Sequence, residues 1–84
     1  MSAENLKKAM NEKTFTIGTE KTLKELKKGK VKEVFISKNC PELLKKRINK
    51  YSEITKTKIV QLNETNEEIG SLCKKPFSIN VCCY

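Results

Sequence analysis

The sequence predicts an α/β fold, a three-layer α/β/α sandwich built on a single mixed, mainly parallel four-stranded sheet. Apolar runs typical of strands alternate with amphipathic segments of about ten residues, in the order helix then strand, repeated along the chain. Strands joined by helices favour parallel pairing, with helices on both faces of the sheet. No repeat, low-complexity segment or linker interrupts this order, so residues 1–84 are expected to form a single domain.

The first half of the chain predicts two helices and two strands. Ser2 is a suitable N-cap for a helix over residues 2–12, and residues 14–17 alternate polar and apolar side chains like a short strand. Gly18 then breaks the pattern, and a helix is predicted over residues 19–28, with Gly29 as its C-terminal stop. The outer face of this helix carries Lys21, Lys24 and Lys28. Residues 33–37 read as a buried strand.

The second half predicts the remaining elements. Asn39 is placed to cap a helix that continues to Ile54, with a proline in its first turn. After an apolar strand over residues 58–62, Thr65 and Glu68 form a capping box for a helix that Pro76 ends. The last strand is predicted over residues 78–84.

The charge balance indicates a polyanionic partner. The chain carries 18 Lys and Arg against 10 Asp and Glu, a formal net charge of +8. Basic side chains that neutralise phosphates release condensed counterions, which favours binding to nucleic acid. A solvated lysine-rich surface explains the same composition, so charge alone leaves both interpretations open.

The cysteines and the polar amino terminus argue against a metal site and against secretion. The four cysteines form no C-x-x-C pair and the chain has no histidine, so we expect no metal and no cofactor. They are interpreted as reduced thiols used as small hydrophobes, with Cys82 and Cys83 on opposite faces of a strand. No signal-peptide core and no run of 18 apolar residues occurs, so a cytoplasmic protein without membrane contact is expected.

An enzymatic function is not expected. The sequence lacks histidine, a G-x-S-x-G turn and a phosphate-cradling G-x-x-x-x-G-K-[ST] loop. The adjacent Glu67 and Glu68 lie in the first turn of a predicted helix, where carboxylates offset the helix dipole. We therefore expect no small-molecule substrate.

Three features instead suggest contact with RNA. Gly18 would let another backbone approach the amides at the start of the basic helix, although that helix face could equally be only solvated. Asn39 follows a predicted strand, where α/β sheets commonly bind ligands, and its amide could cap a helix, reach a base edge, or do both. Phe77 lies in the loop before the last strand and could stack on an unpaired base or belong to the core, and the alternation of Phe77, Ile79 and Val81 favours the core for at least some of the three.

Several stretches, taken in order, resemble the ribosomal protein L-thirty-e family, within the kink-turn RNA-binding superfamily that includes ribosomal protein L-seven-A-e. They occur in family order and without gaps from Gly18 to Phe77, which is about 70% of the chain. The stretches are Ile17-Gly18-x-x-x-Thr22-x-Lys24, Gly29-Lys30-x-Lys32, Ser37-Lys38-Asn39-Cys40-Pro41, Lys56-Thr57-Lys58 and Asn66-x-Glu68-Ile69-Gly70-x-x-x-x-Lys75.

The resemblance implies a structural component of the large ribosomal subunit that binds a kinked ribosomal RNA internal loop. Its partners would be ribosomal RNA and neighbouring ribosomal proteins, and outside the ribosome the chain would be a monomer. The implied RNA-binding residues, together with the lysine stripe, are Gly18, Lys21, Lys24, Lys28, Asn39, Phe77 and Ile79.

The alternatives are a kink-turn protein of a guide-RNA or RNA-processing particle, and a basic protein–protein adaptor without RNA. Two positions depart from the family pattern. Glu20 stands where a basic residue is usual, and Ser78 stands where an arginine is common. Both departures lower the positive charge at the implied interface.

Overall fold

The predicted order of helices and strands is confirmed. The computed structural model describes the backbone of residues 2–84 and the side chains of residues 6–84. The elements are α1 (Ser2–Ala9), β1 (Thr16–Ile17), α2 (Thr19–Lys28), β2 (Glu33–Ile36), α3 (Glu42–Thr55), β3 (Lys58–Gln61), α4 (Asn66–Leu72) and β4 (Val81–Cys83).

The four strands form one mixed sheet in the order β1-β4-β2-β3. Strands β2 and β3 pair in parallel, whereas β4 pairs antiparallel with both β1 and β2. Strands β1, β2 and β3 thus share one direction, as predicted. The insertion of β4 between two of them makes most of the pairings antiparallel, which the sequence did not indicate.

The reversed direction of β4 follows from the segment before it. After α4 ends, residues 73–80 run back along that helix, and the Ile79 amide donates to the Asn66 carbonyl at 2.9 Å. Strand β4 therefore starts beside the end of β2, and Ile36 pairs with Val81. A longer crossover would have been needed for parallel pairing.

Each face of the sheet is covered by two helices, which confirms the three-layer architecture. Val34 and Ile36 point toward α2 and α3, while Phe35 between them points toward α1 and α4. This alternation is the two-residue period of a strand that is buried on both sides. Cys82 and Cys83 divide in the same way, so the prediction for them is confirmed.

All four cysteines are free and buried, as small hydrophobic residues would be. Burial raises the pKa of each thiol, most strongly for Cys82. Raised pKa values keep these groups as neutral thiols near neutral pH, which suits packing rather than reactivity.

Two of the predicted helix ends are confirmed by their geometry. Gly29 adopts the left-handed conformation with φ 72°, and its amide donates to the Leu26 carbonyl at 2.9 Å. The Thr65 side chain accepts from the Glu68 amide while the Glu68 carboxylate accepts from the Thr65 amide, which completes the predicted capping box.

Other predicted boundaries were wrong. The first helix ends at Ala9, α4 ends at Leu72 before Pro76 is reached, and β4 is shorter than residues 78–84. The N-cap of α3 is Pro41, without a side-chain cap. The predicted capping role of Ser2 lies outside the described side chains.

Within residues 2–84 no helix is long and apolar enough to cross a membrane.

Candidate nucleic-acid interface

The predicted site residues gather mainly at one edge of the sheet, which we call the rim and define as residues 18–21, 37–40, 64–66 and 75–80. Strands β1, β2 and β3 end there and α2, α3 and α4 begin there, because these strands share one direction. Backbone hydrogen bonds join the rim segments to one another. The Ser37 amide donates to the Asn80 carbonyl at 2.9 Å, and the Lys38 amide donates to the Glu64 carbonyl at 2.8 Å. The Gly18 amide is held by the Val81 carbonyl of β4 at 3.0 Å.

Gly18 is required at the rim by its backbone conformation. Its φ of 107° is one that residues with a side chain rarely adopt. No atom lies within 4 Å of the position that a Cβ would take, so the space beside Gly18 is open. As the N-cap of α2 it also offers no side chain to the first helical amides. The helix start is therefore accessible to another molecule.

A cleft of about 580 Å³ opens beside Gly18. It is lined by Phe15, Thr16, Ile17, Gly18, Thr19, Lys21, Lys75, Phe77, Ser78, Ile79 and Asn80. Two of these side chains are lysines and none is a carboxylate. The cleft therefore combines positive charge, an exposed aromatic ring and an accessible helix start, which together suit a folded polynucleotide strand.

Phe77 is the aromatic side chain at the mouth of this cleft. It is 55% exposed, although phenylalanine is usually buried. Pro76 and Ser78 on either side are exposed as well, so the ring lies on an exposed loop. Stacking of such a ring on an unpaired base is worth about 1–3 kcal/mol.

The structure does not support the side chain of Ile79 as a nucleotide contact. Ile79 is only 2% exposed and packs in the core beneath α1 and α4. Phe77 and Ile79 are two residues apart and would share one side of a regular strand, but the segment before β4 is not a strand, so Ile79 turns inward while Phe77 stays exposed. Ile79 therefore forms the floor beneath the cleft.

Asn39 holds the start of α4 to the rim. Its Oδ1 accepts from the Asn66 amide at 2.9 Å, and its Nδ2 donates to Asn66 Oδ1 at 3.0 Å. Asn66 Oδ1 also accepts from the Glu67 amide at 2.9 Å. Asn39 is thus a capping residue, but of α4 and not of α3 as the sequence predicted.

The Asn39 side chain keeps part of its hydrogen-bonding capacity. Its Nδ2 has a second hydrogen and its Oδ1 a second lone pair beyond the contacts with Asn66. The residue is exposed. A structural role and a contact to another molecule are therefore compatible at this position.

The three predicted lysines of α2 lie at different distances from the rim. Lys21 lines the cleft, whereas Lys28 lies in the last turn, about 10 Å further along the axis at 1.5 Å per residue. The Nζ of Lys28 is 3.7 Å from Glu25 Oε1. Lys24 is exposed between them. Only Lys21 is brought to the cleft with Gly18 and Phe77.

The sequence interpretation gave no site role to several rim residues. Lys75 and Asn80 line the cleft, and Asn66 anchors Asn39. The Ser37 hydroxyl, which is buried, donates to Asn80 Oδ1 at 3.4 Å. Lys75 and Asn66 lie within one of the resemblance stretches, which is the signal that could have found them.

The model of the Ribosomal protein L7Ae/L30e/S12e/Gadd45 family matches residues 2–84. The chain belongs to this family, and the resemblance found in the sequence is confirmed.

Among curated relatives it is similar to the Large ribosomal subunit protein eL30 of Archaeoglobus fulgidus, 42% identical over 65 residues, which are 77% of this chain and 71% of that protein. The protein of the same name from Oryza sativa subsp. japonica is 35% identical over 78 residues, which are 93% of this chain and 68% of that protein.

A solved structure of a protein with unknown function from Bacillus halodurans C has the same fold. It superposes with a TM-score of 0.78 over 89% of this chain and 74% of that chain, at 17% sequence identity. At this identity the similarity concerns the fold alone.

Proposed function

We propose that this chain is a structural component of the large ribosomal subunit that holds a kinked ribosomal RNA internal loop at the rim. The names of its relatives support the assignment to the large subunit. The observation that carries the RNA-binding role is the cleft in which Gly18, Lys21 and the exposed Phe77 come together without a carboxylate.

Each of the rim residues would make a different contact with the RNA. A sharply bent strand passes close to Gly18, where no side chain stands in its way. Lys21 and Lys75 offset the phosphates that a kink brings together. Phe77 stacks on a nucleotide that is turned out of the helix, and the spare donor and acceptor of Asn39 reach a base edge.

Recognition of this kind depends on RNA shape. Kinked loops display unpaired bases and sheared pairs whose edges are hidden in a regular duplex. In this proposal the partners are ribosomal RNA and adjacent ribosomal proteins, and the chain works with the ribosome in the cytoplasm. The proposal assigns no reaction and no small-molecule substrate to the chain.

A binding titration tests the proposal. The purified chain is titrated with a kink-turn RNA and with the same RNA whose sheared G·A pairs are replaced by Watson–Crick pairs. We expect binding of the kinked RNA to be at least about tenfold tighter, a difference of about 1.4 kcal/mol. Equal affinity for the two RNAs would show that the chain does not distinguish a kinked RNA from a regular duplex.

A second measurement separates the ribosomal role from that of a guide-RNA or RNA-processing particle. Cell extract containing the tagged chain is sedimented at high salt. The proposal expects the chain to remain with large ribosomal subunits. Sedimentation with smaller ribonucleoprotein particles would support the alternative assignment.

A further inference from the structure

Gly70 lies in the middle of α4, directly beneath the loop that carries Phe77. A Cβ at this position would overlap the carbonyl oxygen of Phe77 and lie 3.2 Å from its carbonyl carbon and 3.4 Å from the Cα of Ser78. These neighbours are backbone atoms, which cannot rotate away as the end of a flexible side chain can. Only a residue without a side chain fits between the helix and the loop.

Two hydrogen bonds fasten this loop to the same face of α4. The Lys75 amide donates to the Gly70 carbonyl at 2.9 Å, and the Ile79 amide donates to the Asn66 carbonyl at 2.9 Å. Asn66 and Gly70 are four residues apart and therefore lie above one another on the helix. The loop is attached on both sides of Phe77, and Gly70 sets its distance from the helix.

Glycine in a helix interior is unfavourable because it loses the most backbone freedom on folding. Gly70 has φ outside the left-handed region, so its backbone conformation does not require glycine. The close approach of the Phe77 backbone is the feature that does require it.

We propose that Gly70 is a positioning residue that fixes Phe77 at the mouth of the cleft. It acts through the loop backbone and has no contact with RNA of its own. The consequence for RNA binding rests on the proposed function, whereas the placement of Phe77 is a property of the free chain. The two can therefore be measured separately.

Tryptophan fluorescence measures the placement without RNA. The chain contains no tryptophan, so Phe77→Trp introduces a single reporter at the loop. Adding Gly70→Ala to this variant should shift the emission maximum and change acrylamide quenching, because the added methyl group displaces the loop. Ile48→Val, a conservative change in the opposite core, is the control for general destabilisation and should leave both readings unchanged. Unchanged emission and quenching with Gly70→Ala would overturn the proposal.

Titration with a kink-turn RNA measures how the placement of Phe77 affects RNA affinity. Gly70→Ala should weaken binding about tenfold in the original chain, within the range expected for loss of one stacked base. In a Phe77→Ala background the same change should cost less than about twofold, since no ring remains to be misplaced. Ser71→Ala, at the next and exposed position of α4, borders the same loop but adds no atom beneath it, and should have no effect in either background.

The outcomes separate the two proposals. Equal losses with and without Phe77 would overturn the positioning role of Gly70 and leave RNA binding intact. Failure of the original chain to bind the RNA would overturn the proposed function, while the fluorescence result still decides about Gly70. If Gly70→Ala does not fold, amide exchange of the original chain decides, because Lys75 and Ile79 must be protected, and rapid exchange at both amides would overturn the proposal.

Discussion

Asn39 and Asn66 are joined by two side-chain hydrogen bonds across 27 residues of sequence, at 2.9 and 3.0 Å. Asn39, in the loop after β2, accepts from the Asn66 amide, which is the first helical amide of α4. The side chains of Asn66 and Thr65 accept from the next two amides along the helix. The first turn of α4 is thus satisfied by side chains that belong to the rim. The folding of α4 and the shape of the rim depend on the same contacts.

The Asn39→Ala change is therefore expected to affect stability. Loss of a capping side chain typically costs about 1 kcal/mol in the free energy of unfolding, measured here by urea denaturation. Asn63→Ala, an exposed change in the neighbouring loop, should stay within about 0.5 kcal/mol of the original chain. Equal stability of the two variants would mean that the Asn39–Asn66 contact does not support the fold.

Phe77→Ala is expected to weaken RNA binding and to leave the stability of the fold almost unchanged. The ring is largely exposed, so its removal should leave the midpoint of urea unfolding almost unchanged. The Kd for a kink-turn RNA should rise by about one order of magnitude or more, as for loss of a stacked base. Leu43→Ala removes another exposed large side chain, on α3, and should not change the Kd. An unchanged Kd for Phe77→Ala would contradict the stacking role.

Ser78→Arg is expected to strengthen RNA binding. Ser78 lines the cleft, and the change places one more positive charge there. Each added phosphate contact steepens the dependence of log Kd on log salt by about 0.7–0.9. Asn49→Arg adds the same charge on α3 beside Lys56 and Thr57, away from the rim, and serves as the control. Equal gains for the two variants would indicate general attraction and no specific contact.

The capping box makes α4 sensitive to acid. Hydrogen bonds from Thr65 to the Glu68 carboxylate hold its pKa below the ordinary value of 4.5. A lowered pKa in the folded state means that the stabilising contribution is complete above pH 4.5 and is lost as the pH falls through the folded pKa. In Glu68→Gln, thermal stability should fall less steeply below pH 4.5 than in the original chain. Glu53→Gln, at an exposed position of α3, should keep the acid profile of the original chain. Identical acid profiles for the original chain and Glu68→Gln would refute this effect.

The sequence predicted α2 to the residue because glycines mark both of its ends. Gly18 and Gly29 adopt positive φ values that other residues avoid, so their positions limit the helix. The capping box of α4 was equally visible, since its two partners are three residues apart. Signals of this kind lie within one turn of the chain and need no tertiary information.

Contacts between residues distant in sequence determine two features that were not predicted, the helix that Asn39 caps and the residue at which β4 begins. Asn39 stands at a plausible cap position for α3, but the amide that it binds lies 27 residues away. Residues 78–80 alternate like a strand, yet the Ile79 amide bonds to Asn66 of α4 and not to a neighbouring strand, and β4 begins only at Val81. Local periodicity cannot choose between such partners, because both choices satisfy the same backbone groups.

Mapping amide chemical shifts by NMR during titration with a kink-turn RNA tests most directly that the rim binds RNA. The proposal predicts the largest shifts at Gly18, Asn39 and Phe77, and small shifts at Lys56 and Thr57 on the opposite edge of the sheet. Largest shifts on that opposite edge, with the amides of the rim unchanged, would contradict it.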